Sequence, residues 1–383
     1  MMDQNYYTTI VRNIGKELIL DYINNDKILG GLNGPYDDPE TPVRNLCHLI
    51  IITSLEIKIF NNSKYIDILE KMSRELCGLQ SEDGLFIMRL KKEKDLCNGV
   101  IGHSWVIEAL LYLHMVFKEE KYLNMAAQIA SKHSFDERLN LWAIPNKVPT
   151  DLTIDYTFNH QLWYAASLAE LNNVLKNTIF QQQLDCFILS LDLNMTNSGY
   201  GKIAHTIYRR LGKIATIKSC VKRMINLTND FLSRKSMAYK EEGYHVFNLM
   251  ALARISNVYP NYKLECNKKI IKALQYVNTD SFFKGLNNPM YHLDQSLHND
   301  LSDSETQFNI YGYPYNVPTF ELCYISKIYK GIISPNVVER CLCEQWAKTY
   351  NMKVNRLSNN VHDVCTINYR IYEYYRYLEI NHE

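Results

Sequence analysis

The sequence predicts an all-α protein in which six helical hairpins close into an (α/α)6 toroid. Three observations lead there. Apolar residues recur at helical spacing along most of the chain, and strand-type alternation is scarce. The helical segments come in pairs joined by short polar turns, a repeat of structure without strict repetition of letters. The two members of a pair also differ. The first is apolar nearly all round, as in HSWVIEALLYL, QLWYAASLAEL and NLMALARI; the second is amphipathic, as in KYIDILEKMSREL and KYLNMAAQIASK.

The elements follow in order. Tyr6–Asn24 is a helix with no predecessor. Val43–Phe60 pairs with Tyr65–Leu76 across the polar turn Asn61-Asn62-Ser63. Gly102–Phe117 pairs with Lys121–Lys132, and Phe158–Leu175 with Ile179–Leu191. Tyr244–Ser256 pairs with Tyr262–Tyr276, separated where Pro260 stops the helix. Thr319–Tyr329 pairs with Pro335–Tyr350, where Ser334 precedes a proline at the first helical position. His362–Leu378 is the last helix and has no successor. An open solenoid also stacks helix pairs. The unpaired first and last helices favour closure, because they can pair with each other. The whole chain, 1–383, is expected to form one barrel domain. Residues 195–240 are expected to be an excursion, helical after Thr216.

Composition bounds the function. Hydrophobic residues make up 46% and charged residues 22%, with a net charge of +1. These values fit a soluble globular protein and no disordered one. Basic runs are short, such as RLKKEK, so no nucleic-acid partner is expected. The longest apolar runs, such as CHLIIITSL, are about half of the ~20 residues needed to span a bilayer. The start MMDQNYYTTIVRNIG lacks a basic stretch followed by an apolar one, so a cytoplasmic location is expected. Ten cysteines are scattered mostly among apolar residues without a CxxC, which reads as free thiols and no metal. No cofactor is expected. Tyrosine is abundant, with 28 residues. Its flat apolar face and hydroxyl suit stacking on sugars or bases, and codon bias in an AT-rich genome would raise its count as well.

The inner helices of a toroid run parallel, so their N-termini open at one end. The sequences at those starts are GGLNGPYDDPETPVRN, CNGVIGHSW, DYTFNHQLW, EEGYHVFN, IYGYPYNVPTFEL and NNVHDVCTINYR. All are rich in Gly, Asn, Asp, His or Tyr, whereas opposite ends such as KIFNNSKY and FKEEKY are plain surface turns. This asymmetry gathers the candidate binding residues Asp37, Arg44, Asn45, His48, His103, Trp105, Asn159, Trp163, Tyr244, His245, Tyr311 and Tyr313 around one mouth. Asp38, Asp155, His160 and Glu321 join them as candidates for catalysis. Helix N-termini add partial positive charge there. The aspartates and asparagines can equally be helix caps, and the tryptophans core packing. Glu108 and Glu321 lie inside apolar helices, where an unpaired carboxylate is costly, so each should have a partner or a chemical role.

GLNGPYDDPETPVRN, NGVIGHSWVIEAL, DYTFNHQLWYAA and YGYPYNVPTFEL resemble the loop-plus-helix signatures of the six-hairpin carbohydrate-active superfamily. The resemblance covers most of the chain except 195–240 and is closest to poorly characterised members from polysaccharide biosynthesis or modification genes. It implies an oligosaccharide or polysaccharide substrate. The superfamily holds glycoside hydrolases, unsaturated-uronyl hydrolases, lyases and sugar 2-epimerases, so the fold leaves the reaction open. Hydrolysis needs two carboxyl groups flanking the bond, and Asp38 with Asp155 is the leading pair, by resemblance to the uronyl hydrolases. Lyase or epimerase chemistry needs a base such as His or Tyr, and Asn159-His160, Tyr244-His245 and Arg44 could together supply base, acid and carboxylate neutralisation. A glycan-binding protein without catalysis is the third reading. A magnesium-dependent cyclase fits poorly: NDFLSRKSM lacks its final acid and DDPET the acid at its fifth position. A zinc barrel lacks a Cys-His cluster.

Overall fold

The structure, a computed structural model, describes residues 4–35, 38–145, 153–198, 200–229, 238–288 and 308–382. Twelve helices carry the architecture. They are α1 Gln4–Asn25, α2 Val43–Phe60, α3 Ile66–Gly78, α4 Ile101–Phe117, α5 Glu120–Ser131, α6 Phe158–Leu175, α7 Thr178–Leu189, α8 His245–Val258, α9 Lys268–Tyr276, α10 Pro318–Ile328, α11 Pro335–Thr349 and α12 Tyr372–His382. The even-numbered helices form a closed ring, packing in the order α2, α4, α6, α8, α10, α12 and back to α2. The expected (α/α)6 toroid is the fold observed.

Local chemistry sets the helix boundaries. α2, α4 and α6 each end in a left-handed residue, Asn61 (φ 53°), Lys118 (φ 58°) and Lys176 (φ 55°), whose N–H returns to a carbonyl of the last turn. α7 and α9 start at Asn177 and Asn267, whose side chains each accept two backbone N–H groups. The inner helices are buried over most of their circumference; α6 hides Phe158, Leu162, Trp163, Ala165, Ala166 and Leu168 alike. α1 closes the outer layer on α2: Arg12 donates to Glu56 at 2.9 Å, and Thr8 bonds to Tyr374 of α12 at 3.2 Å.

Two expected elements are corrected. His362–Leu378 is not one helix but two, Val364–Tyr369 and α12. The break falls at Arg370, whose guanidinium reaches Glu321 at 2.8 Å and Glu373 at 2.6 Å. The segment expected at Tyr262–Tyr276 becomes α9 only at Lys268, because Lys263 turns left-handed (φ 49°) and Asn267 is the cap. Small hairpins precede several inner helices, among them Asn197–Ser198 with Lys202–Ile203 and Tyr350–Asn351 with Arg356–Leu357. The excursion continues into a helix at Lys213–Asn229. Asp37 and most of NDFLSRKSM (230–237) lie outside the described residues.

Candidate active site

The polar residues at the inner-helix starts divide into two sets. One set staples the ring to the connections that precede it. His103 Nε2 accepts from the Phe86 N–H at 3.1 Å, which leaves Nδ1–H to donate to His133 at 2.8 Å. Gln161 clamps both backbone groups of Trp142, at 2.9 and 2.7 Å. His245 accepts from the Ile203 N–H at 3.1 Å and donates to the Ala273 carbonyl at 3.0 Å. Asn368 clamps both backbone groups of Leu357, at 2.9 and 3.0 Å. Asn45 donates to the Leu29 carbonyl at 3.0 Å. Burial pushes His103 down to about 4 and His245 to about 3, so both are neutral wall residues. Tyr313 also sits in the wall, its hydroxyl 3.0 Å from Glu344 of α11.

The second set meets across the lumen. Arg44 of α2 donates to the Tyr315 hydroxyl at 3.2 Å and pairs with Glu40 at 2.6 Å, its guanidinium 5.1 Å from the centre of the Trp105 ring. His48 stacks on Tyr372 of α12 at 4.1 Å and meets Trp105 edge-on at 5.8 Å. Burial, then Arg44, Arg370 and Arg376, push His48 well below the usual imidazole range. Trp163 stacks on Phe247 at 4.0 Å. Tyr244 packs against His205, Phe247, Tyr311 and Tyr315. Glu321 and Glu373 share one guanidinium nitrogen of Arg370. Burial drives both carboxyls upward, and the Arg370 guanidinium opposes it.

Several buried polar atoms of this belt have no hydrogen-bond partner among the described residues: both ring nitrogens of His48, the Tyr372 hydroxyl, Asn159 Oδ1, Asn248 Oδ1 and the Nε atoms of Arg44 and Arg370. Buried polar groups are normally paired. Polar atoms left unpaired in this way call for water or a polar ligand as their partner.

Beneath the belt lies an ion lattice. Arg254 of α8 lies between Glu108 at 3.0 Å and Glu170 at 2.7 Å. Arg376 of α12 bonds the same two acids at 3.1 and 2.8 Å. Trp163 and Ser167 also donate to Glu108, at 2.7 and 2.8 Å. This supplies the partners expected for Glu108, as Arg370 does for Glu321. Because α12 faces α6 across the ring, Arg376 ties opposite walls together.

Asp155 and His160 form a dyad at the start of α6. Asp155 Oδ2 accepts from His160 Nδ1 at 2.8 Å and from the Val100 N–H at 3.0 Å; Oδ1 accepts from the Thr157 N–H at 3.0 Å. Burial alone would raise this acid. The imidazole and the two amides outweigh burial and hold it below the usual carboxylate range. Nδ1 of His160 is thus committed, and Nε2 has no partner among the described residues. The side chain is 18% exposed, unlike buried His103 and His245. His205 lies nearby, pushed well below its usual range by burial, Lys240 and His160, with Nδ1 lacking a partner among the described residues. Sequence reading missed His205 because it falls in the stretch set aside as an excursion. Asp38 is fully buried, against Lys94 at 2.8 Å, Arg89 at 3.5 Å and Asn33 at 3.1 Å. Among the described residues no cluster of three or more His, Cys, Asp and Glu is placed to hold a metal ion.

Gly99 makes the dyad possible. Its φ is +64°, and a Cβ there would strike Asp155 Oδ2 and His160 Nδ1. Gly99→Ala is expected to cost about 1–3 kcal/mol of stability and to part the dyad. Chemical denaturation, with the nuclear magnetic resonance signals of His160, checks both. An unchanged imidazole signal would contradict the geometry.

Fold and site together define an all-α six-hairpin barrel with a belt of polar and aromatic side chains toward the N-terminal ends of its inner helices. No family model matches the chain. In sequence it is similar to archaeal glycosylation protein Q of Haloferax volcanii, 27% identical over 360 residues, covering 90% of each chain. Among solved structures it is similar to cellobiose 2-epimerase from Bacillus thermoamylovorans, with a TM-score of 0.61 and 10% identity over 97% of this chain and 100% of that one. It is also similar to a polysaccharide lyase, with a TM-score of 0.50 and 12% identity over 97% of this chain and 98% of that one. At these identities the likenesses establish the (α/α)6 fold.

Proposed function

We propose that this chain is a carbohydrate-active enzyme that works by proton transfer at a sugar carbon, with His160 as the base. The observation that carries the reading is the Asp155–His160 dyad. A carboxylate fixed by two amides orients the imidazole and leaves Nε2 open. The glycan half of the reading draws on the relative named for glycosylation and on the aromatic, hydrogen-bonding belt. A fold shared with an epimerase and a lyase is compatible with such chemistry without deciding it.

In this reading Nε2 removes a proton from the carbon beside a carbonyl or carboxylate. The bond pair moves onto that group's oxygen, which a hydrogen-bond donor of the belt would stabilise. Return of a proton to the opposite face gives an epimer; expulsion of the group on the next carbon gives a double bond. Hydrolysis by Asp38 and Asp155 draws less support. It requires a protonated acid and a carboxylate facing one bond, yet Asp155 is held low and committed to His160 and two amides.

The test is incubation in heavy water with cellobiose and with a panel of uronate-containing oligosaccharides. Deuterium at a sugar C–H position is expected, and a lyase product also absorbs in the near ultraviolet. Release of reducing ends without deuterium would return the reading to hydrolysis. Binding without any turnover would make the chain a glycan-binding protein.

A further inference from the structure

The excursion between α7 and α8 carries a helix whose apolar side is outermost. In Lys213–Asn229, Ile214, Ile217 and Val221 fall on one face at helical spacing, and they are 73%, 61% and 44% exposed. Thr216 and Ser219, on the other side, are the half-buried residues. Thr216 Oγ1 fixes that side by bonding to both backbone groups of Arg210 and to the Gly212 carbonyl. A helix packed on a soluble core shows the reverse arrangement.

The charge around this stripe has a single sign. The helix sequence KIATIKSCVKRMINLTN contains no acidic residue. By helical position Lys213 borders the stripe on one side, and Lys218 and Lys222 border it on the other. Arg138, Arg209, Arg210 and Lys213 line an adjoining cavity of about 530 Å³ together with Leu139, Leu211 and Ile217. α7 runs antiparallel to α6, so the excursion leaves α7 at the end of the barrel where the inner helices begin.

We propose that this face docks on an anionic lipid bilayer surface. The aliphatic stripe enters the boundary between headgroups and acyl chains, while the flanking lysines reach back to the anionic headgroups. A nucleic acid would leave the isoleucines in water. A protein partner would have to be acidic along the whole margin. No helix of the described residues is long and apolar enough to cross a membrane, so the attachment is peripheral. Docking in this way brings that end of the barrel close to molecules held at the membrane surface. The inference does not rest on the proton-transfer reading, since a hydrolase or a binding protein would dock alike.

The test is flotation of the full chain with phosphatidylcholine vesicles, with and without phosphatidylglycerol. Binding is expected only where phosphatidylglycerol is present, and it weakens as salt rises. Ile214→Glu with Ile217→Glu, and separately Lys213→Glu with Lys218→Glu and Lys222→Glu, should each lower vesicle affinity by about ten-fold or more. Ile214→Leu with Ile217→Leu should retain it. All these positions are exposed, and circular dichroism confirms folding. No flotation with anionic vesicles at low salt overturns the proposal, as does binding that both Glu sets leave intact. If the isoleucine substitutions instead split a dimer seen by light scattering, the stripe is a self-interface and the proposal falls.

Discussion

His160→Ala is expected to lower kcat/KM by about 10³-fold on whichever sugar shows deuterium incorporation, within the 10²–10⁴ range of a lost general base. The thermal unfolding midpoint should move little, because only Nδ1 is bonded and the ring is partly exposed. Asp155→Asn is the instructive companion. The amide cannot accept at every site the carboxylate serves, so it disturbs the imidazole and also leaves the Val100 or Thr157 N–H poorly satisfied. It should therefore lose both rate and stability, whereas His160→Ala loses rate alone. Full deuterium exchange in His160→Ala would sink the proton-transfer reading.

The second large effect concerns stability. Arg254→Met should destabilise the protein by about 3–5 kcal/mol, because it leaves buried acids undercompensated. Glu108 keeps Arg376, Trp163 and Ser167, and Glu170 keeps Arg376, so the lower end of that range is expected. Urea unfolding measures it. A loss below about 1 kcal/mol would mean that the lattice is solvated or already protonated. Replacing all four charges with well-packed apolar residues could cost little, since desolvating such pairs offsets much of their attraction.

The ring was legible because helical spacing and polar turns recur, and because inner and outer helices differ in how much of their surface is apolar. The gathering of polar residues at one end was legible too. What the letters did not separate was their two tasks. His103 and His245 look like His48 and His160 in sequence, yet the first two bind backbone groups in the wall and the others face the lumen. Partners decide this, and His103 finds its partner 30 residues away in His133. Gln161 and Asn368 perform the same stapling with different side chains, so no repeated letter marks the role. Arg370, Tyr372 and Glu373 fell within one expected helix, because the pattern of apolar residues carries no mark of the break at Arg370, where the guanidinium pairs with Glu321 and Glu373.

The cross-brace of Arg254 and Arg376 divides the barrel across its middle. Ion pairs joining opposite walls cannot part for passing cargo without stranding charge in the interior. Under the proposed function, a long polymer would therefore reach the dyad by a terminus or one protruding unit, with its product leaving on the same side of the brace.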